Sequence, residues 1–187
     1  MKISEILLKY KTDKNYGAVS PKEGHFYGEI YDKIFEKFDR YSPLDILEIG
    51  IQKGGSLLAW KEFFTNSKIT GIDIVDVISE EYRNENFNYI ISDIKSDFTR
   101  SQLEDKLFDI IIDDGSHYID DVIFVIESYL KNLKKNGVLI IEDCQNPELW
   151  VSRINSIISE DFNLKTFDVR KVNNHYDDFI ITVEKVN

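Results

Sequence analysis

Two short acidic runs hold the densest chemistry in the chain. Ile110-Ile111-Ile112-Asp113-Asp114-Gly115-Ser116-His117 closes an apolar block with two carboxylates and an imidazole, and Ile140-Ile141-Glu142-Asp143 closes another with two more carboxylates. If the two apolar blocks are neighbouring strands, Asp113, Asp114, Glu142 and Asp143 converge on one cleft. Carboxylates packed together repel, so protons or a cation must offset them. A hard divalent ion with oxygen ligands, Mg²⁺ above all, does this while keeping positions for water or substrate. The single His beside the acids argues against a His-rich zinc site. The His117 side chain suits a general base toward a hydroxyl, whose own pKa a metal would lower. The alternative is that Asp113 and Asp114 cap the next helix while His117 packs; the Glu142-Asp143 pair opposite favours the chemical reading.

A second signal lies upstream, in Glu48-Ile49-Gly50-Ile51-Gln52-Lys53-Gly54-Gly55-Ser56. Glycines between a strand and a helix allow a tight turn and a close approach of ligand to backbone amides. The spacing is neither G-x-G-x-x-G nor G-K-[ST], which weakens the nicotinamide and P-loop readings. Downstream, Gly71-Ile72-Asp73 ends a strand in an acid that can accept both ribose hydroxyls of a nucleoside, and Ser92-Asp93 ends the next in an acid suited to an adenine edge. Glu48, Gly50, Gly54, Ser56, Asp73, Asp93 and Asp113 are therefore the expected nucleoside-binding residues.

The elements that must position these groups follow from hydrophobic periodicity. Positions 4–11 form a short amphipathic helix, 12–24 have a loop composition, and 26–38 form a second helix with Tyr27, Tyr31, Phe35 and Phe38 on one side. Strands are expected at 45–49, 68–74, 87–91, 108–112 and 138–141. Helices are expected at 56–64 and at 118–133, the latter stopped by a Lys134-Lys135-Asn136-Gly137 turn. Such units imply an α/β fold with a Rossmann-like, doubly wound, mostly parallel sheet. Two further strands, 164–170 and 179–184, are joined by the polar turn Asn173-Asn174-His175-Tyr176, which makes them an antiparallel hairpin. The whole reads as one domain over 1–187, with a helical cap or lid segment at 1–43 and the core at 44–187.

Composition narrows the partners. The 187 residues are 42% hydrophobic and 13% aromatic, as in a folded globular chain. Thirty-four acidic against 23 basic residues give a net charge of −11, which argues against a nucleic-acid partner. Cys144 is the lone cysteine, so neither an intrachain disulfide nor a four-cysteine zinc site can form. No stretch resembles a signal peptide or a membrane helix, and a cytoplasmic setting without membrane association is expected. The apolar surface of the amino-terminal helices could pack on the sheet or form a homo-oligomer.

The order E-x-G-x-x-x-G, G-x-D and a strand-end Asp resembles the class I S-adenosylmethionine-dependent methyltransferases. By that likeness Gly50 and Gly54 flank the methionine part of the cofactor, Asp73 holds its ribose and Asp93 lies near its adenine. A narrower pattern spans nearly the whole chain: Thr12-Asp13-Lys14, His25-x-Tyr27-x-x-x-Tyr31-x-x-x-Phe35, the Glu48 loop, Asp113-Asp114-Gly115-Ser116-His117 and Glu142-Asp143. Together these resemble the macrolide-sugar O-methyltransferases and the related cephalosporin-hydroxylase-like proteins. The resemblance implies S-adenosylmethionine and Mg²⁺ as cofactors, Asp114, Glu142 and Asp143 as metal ligands, Asp114 and His117 as catalytic residues, and a sugar or other small-molecule hydroxyl as acceptor. Family members often carry Glu where this chain has Asp32, so Asp32 or nearby Glu29 is a candidate for a further acidic contact. The chain shows no counterpart of the auxiliary domain of some macrolide enzymes, which argues against a large macrolide acceptor. Surface-polysaccharide biosynthesis is one setting for such a sugar acceptor. The alternatives are methylation of another small hydroxylated metabolite, or a non-catalytic nucleoside-binding partner in a biosynthetic complex.

Overall fold

A computed structural model gives the structure and describes residues 1–19, 24–173 and 175–187. The central strands β1 (Asp45–Ile49), β2 (Lys68–Asp73), β3 (Asn88–Ile91), β4 (Phe108–Asp113) and β5 (Leu133–Ile141) are parallel, while β6 (Phe162–Asp168) and β7 (Phe179–Lys185) add an antiparallel pair. The order across the sheet is β3-β2-β1-β4-β5-β7-β6. This is the Rossmann-like, doubly wound sheet finished by a reversed hairpin. Strand order turns back between β1 and β4, and open α/β sheets bind ligands at the carboxyl edge of such a point.

Side chains alternate between the two faces of each strand. On one face Ile46, Ile110, Ile112 and Ile140 pack with Trp60 of α3 (Gly55–Phe63) and with the apolar sides of α1 (Ile3–Lys9) and α2 (Gly28–Phe35). On the other, Leu47, Ile111, Leu139 and Ile141 pack with α5 (Ile119–Tyr129) and α6 (Pro147–Asn155). The amino-terminal helices thus bury most of their apolar residues within the chain, Leu8 staying exposed. Among the described residues no helix is long and apolar enough to cross a membrane.

Several elements differ from the sequence reading. The helix expected to reach position 133 ends at Tyr129, a 3₁₀ turn covers Leu130–Asn132, and β5 already begins at Leu133. The polar run read as a turn extends this strand. A register shift between Phe108 and Ile110 accommodates it, and Lys134 Nζ is held by Asp45 at 2.7 Å and Asp109 at 2.8 Å. The helices α4 (Asp97–Leu103) and α6 were not expected from sequence, yet each has a side-chain cap: Thr99 N donates to Ser96 Oγ, and Leu149 N to Asn146 Oδ1. A one-turn helix, α7 (Arg170–Asn173), stands between the hairpin strands. Asn174 of the expected hairpin turn and positions 20–23 of the expected 12–24 loop lie outside the described residues.

The amino-terminal helix is tied to α3 by one acid. Glu62 Oε2 accepts from Lys9 Nζ at 2.5 Å and from Tyr10 Oη at 2.7 Å, and these two donors hold its carboxyl below the usual range. A depressed carboxyl pKa contributes stability above the unfolded-state value and loses it as pH falls through the folded-state value. Glu62→Gln should therefore cost about 0.5–1 kcal/mol at neutral pH, since Lys9 is exposed. Urea unfolding should show that difference shrinking to nothing well below the free glutamate pKa of about 4.3.

Candidate active site

The parallel register sets acids side by side at the carboxyl edge. Ile49 pairs with Asp113, and Asp113 with Ile141, so Asp113 ends β4 while Glu48 lies one residue before the end of β1 and Glu142 one residue past the end of β5. Amides lock the strand ends together: Asp114 N donates to Ile49 O at 2.9 Å and Glu142 N to Asp113 O at 3.0 Å. Gly50 has a φ of +82°, and a Cβ there would run into the Asp114 carbonyl oxygen. At this position the glycine admits a close approach of protein backbone, which joins the β1–α3 loop to the β4–α5 loop.

Behind the cleft lies a buried charge cluster. Glu48 is fully buried and accepts from Ser56 Oγ at 2.9 Å and Trp60 Nε1 at 2.8 Å. Lys14, 2% exposed, reaches in from the amino-terminal segment to Asp114 Oδ2 at 2.5 Å, both oxygens of Glu142 at 3.0 Å and Glu48 Oε1 at 3.4 Å. Burial alone would push the Lys14 ammonium down, but the three carboxylates hold it well above the usual lysine range. Burial raises the carboxyls of Glu142 and Asp114 against the lowering effect of Lys14. Glu142 also accepts from the Tyr31 hydroxyl. Asp113 is buried and its carboxyl pushed up to about 6 by that burial.

Nearer solvent, Asp114, His117 and Asp143 each offer a ligand atom within 4.8 Å of the others. His117 Nε2 lies 3.9 Å from Asp114 Oδ1 and 3.8 Å from Asp143 Oδ2. Tyr27 Oη donates to Asp143 Oδ1 at 2.5 Å. His117 and Asp143 both adopt left-handed backbone, with φ of 56° and 54°, a conformation in which Asp and His are enriched among side-chain-bearing residues.

A cavity of about 480 Å³ opens beside this cluster, between the β1–α3 loop, the Tyr10–Lys14 segment and a loop carrying Ser79 and Tyr82. Of the residues singled out from sequence, Gly50, Gly54, Ser56 and Asp114 line it. Glu48 and Asp113 stand buried behind it. Asp73 Oδ2 accepts from the amides of Ile51 and Gln52 at 3.0 and 2.9 Å, shaping the loop that forms one wall. Asp93 is exposed and accepts from Lys95 N at 2.8 Å. Glu142 lies with Lys14 and Tyr31, beside the Asp114–His117–Asp143 grouping. Asp32 caps α1, accepting from Ile3 N at 2.8 Å and Ser4 Oγ at 2.9 Å. Ser79 and Tyr82 carried no sequence signal, because their loop has neither apolar period nor motif spacing.

Cys144 is fully buried, and burial pushes its thiol up, away from the reactive thiolate. Native protein should therefore give no fast reaction with Ellman's reagent, with one thiol appearing on unfolding.

A profile for the family described as "Methyltransferase domain" matches residues 44–178. The chain belongs to this family. The methyltransferase domain is 30% identical over 159 residues to demethylmacrocin O-methyltransferase of Streptomyces fradiae, covering 80% of this chain and 37% of that protein. It is 31% identical over 155 residues to mycinamicin VI 2''-O-methyltransferase of Micromonospora griseorubida, covering 75% of this chain and 35% of the relative. The chain thus spans little more than a third of these relatives. Its fold matches that of the MycE methyltransferase of mycinamycin biosynthesis, solved with Mg, SAH and mycinamycin VI. The TM-score is 0.74 at 24% identity, over 100% of this chain and 55% of that one. The methyltransferase domain therefore has a class I methyltransferase fold, with the acidic cluster at its carboxyl edge.

Proposed function

We propose that this chain is an S-adenosylmethionine-dependent, Mg²⁺-dependent O-methyltransferase acting on a hydroxyl of a sugar or glycosylated small molecule. One observation carries the reading: Asp114 both lines the cavity and belongs to the cluster with His117 and Asp143, so a bound nucleoside and a bound cation would meet at one residue. The charge balance fits a divalent ion. Lys14 sets one positive charge against Glu48, Asp114 and Glu142, and burial, with the repulsion among these acids, shifts all three carboxyls toward protonation despite it. Asp114 and Asp143 would hold the ion with oxygen donors, and Glu142 would join them if Lys14 gave way. The cavity has the size of a nucleoside-type ligand site.

When bound, S-adenosylmethionine supplies an electrophilic methyl and the cation lowers the pKa of an acceptor hydroxyl. The chain's own residues do the rest. The Gly50–Ser56 loop, propped by Asp73, presents backbone to the cofactor, and Tyr10 to Lys14 form the facing wall. In this reading residues 1–43 serve as a cap on the 44–187 core. His117 takes the acceptor proton, oriented between Asp114 and Asp143. A sugar suits the site because vicinal hydroxyls present two oxygens to one cation, and relatives are named for 2'- and 2''-hydroxyl methylation of glycosides.

The test is methyl transfer from labelled S-adenosylmethionine to a panel of glycosides with vicinal hydroxyls, run beside a panel of catechols. A methylated glycoside is expected, its formation lost with a chelator and restored by Mg²⁺. Transfer only to catechols would overturn the acceptor class, and a rate indifferent to chelation would remove the metal.

A further inference from the structure

A second group of ligand atoms lies where the segment before α2 meets the segment before β7. His25, His175, Asp177 and Asp178 each offer one atom, all within 4.8 Å of one another. His25 Nδ1 lies 2.5 Å from Asp178 Oδ1, and His175 Nδ1 lies 3.9 Å from the same oxygen. The two imidazoles meet edge to face, with ring centroids 5.7 Å apart. Asp178 is fully buried, and its other oxygen, Oδ2, has no hydrogen-bond partner among the described residues. Leaving a buried polar atom unsatisfied costs about 1–3 kcal/mol, more if it is charged. The backbone around the group is pinned: His25 N donates to Asp13 O at 2.6 Å and Val169 N to Asp178 O at 3.0 Å, and Tyr27 Oη, whose one proton goes to Asp143, lies 3.2 Å from Asp177 O. The His25 ring also stacks on Tyr27, with centroids 4.8 Å apart.

We propose that His25, His175, Asp177 and Asp178 form a binding site for a transition-metal dication of the zinc type, separate from the Asp114–His117–Asp143 cluster. Two imidazoles and two carboxylates match the four-coordinate N/O donor sets of Zn²⁺, whereas Mg²⁺ prefers oxygen donors and water. Such an ion would satisfy the orphan Oδ2 of Asp178 or free it by drawing the carboxylate into coordination. It would also staple the amino-terminal segment to the β7 entrance. Because His25 Nδ1 lies 3.5 Å from Asp143 Oδ1, and Tyr27, bonded to Asp143, lies beside the Asp177 carbonyl, the site would steady Asp143 from behind. The proposal holds whether or not the chain transfers methyl groups.

Calorimetric titration of the metal-free full chain with Zn²⁺, in excess Mg²⁺ to occupy oxygen-rich sites, tests it. One Zn²⁺ per chain is expected, and His175→Ala and Asp177→Asn should each weaken binding by about 10–100-fold or more. Asp114→Asn should leave the affinity unchanged. His175 is 44% exposed, so its removal should leave the fold intact even where Asp178→Asn does not. X-ray absorption of the loaded protein should show two imidazole nitrogens at about 2.0–2.1 Å. Absence of Zn²⁺ binding, binding indifferent to His175→Ala, or binding abolished by Asp114→Asn would overturn the proposal.

Discussion

His117→Ala is expected to lower turnover by about 10²–10⁴-fold, the usual contribution of a positioned general base. Binding of S-adenosylmethionine, measured by calorimetry, should stay within roughly threefold of wild type, a change under about 1 kcal/mol. The asymmetry follows from position. His117 sits on the acceptor side, 3.9 Å from Asp114 and 3.8 Å from Asp143, and does not line the cavity assigned to the cofactor. A merely structural His117 would shift stability and cofactor affinity together and leave turnover near normal. His117→Asn separates conformation from chemistry, because Asn tolerates the left-handed backbone and cannot serve as a base. Near-normal turnover in both variants would remove His117 from the reaction.

The second large effect concerns stability. Lys14→Met should destabilise the fold by about 3–5 kcal/mol, the usual result of breaking a buried ion network on one side. The ammonium is 2% exposed and meets Asp114, Glu142 and Glu48, so its loss strands three carboxylates or forces them to take up protons. At this chain length each kcal/mol moves the melting temperature by roughly 2–4 °C, so a drop of about 10 °C is expected. Combining Lys14→Met with Glu142→Gln should recover part of the loss, because the partners share one network. A single-variant cost below about 1 kcal/mol would mean that the ammonium merely rests there.

Much of the architecture could be read from the residues, because buried parallel strands leave continuous apolar blocks such as 108–112 and 138–141. The convergence of Asp113 and Asp114 with Glu142 and Asp143 followed from the same blocks, since adjacent strands end at one edge. Lys14 was harder to place. A lysine in a polar loop is ordinarily solvated, and its burial depends on acids 34, 100 and 128 positions downstream. The polar run 134–137 misled for a related reason. It has turn composition, but Asp45 and Asp109 compensate Lys134 at the sheet's lower edge and let β5 start early. His25 stood in the amino-terminal motif and His175 in the hairpin turn, but nothing in the linear sequence joined them, since they meet only through the fold.

The pairing of Lys14 with Glu142 also dictates an order of assembly. Their separation of 128 residues means that the lysine emerges from a ribosome well before its partner has been made. At about 5–20 residues per second, the amino-terminal segment waits roughly ten seconds for β5 to exist. Until then it can pack its helices and meet Glu48 and then Asp114, but Glu142 is still missing from its partners. The contact that completes the acidic pocket therefore forms late, so a nascent chain stalled before β5 would carry an unfinished site.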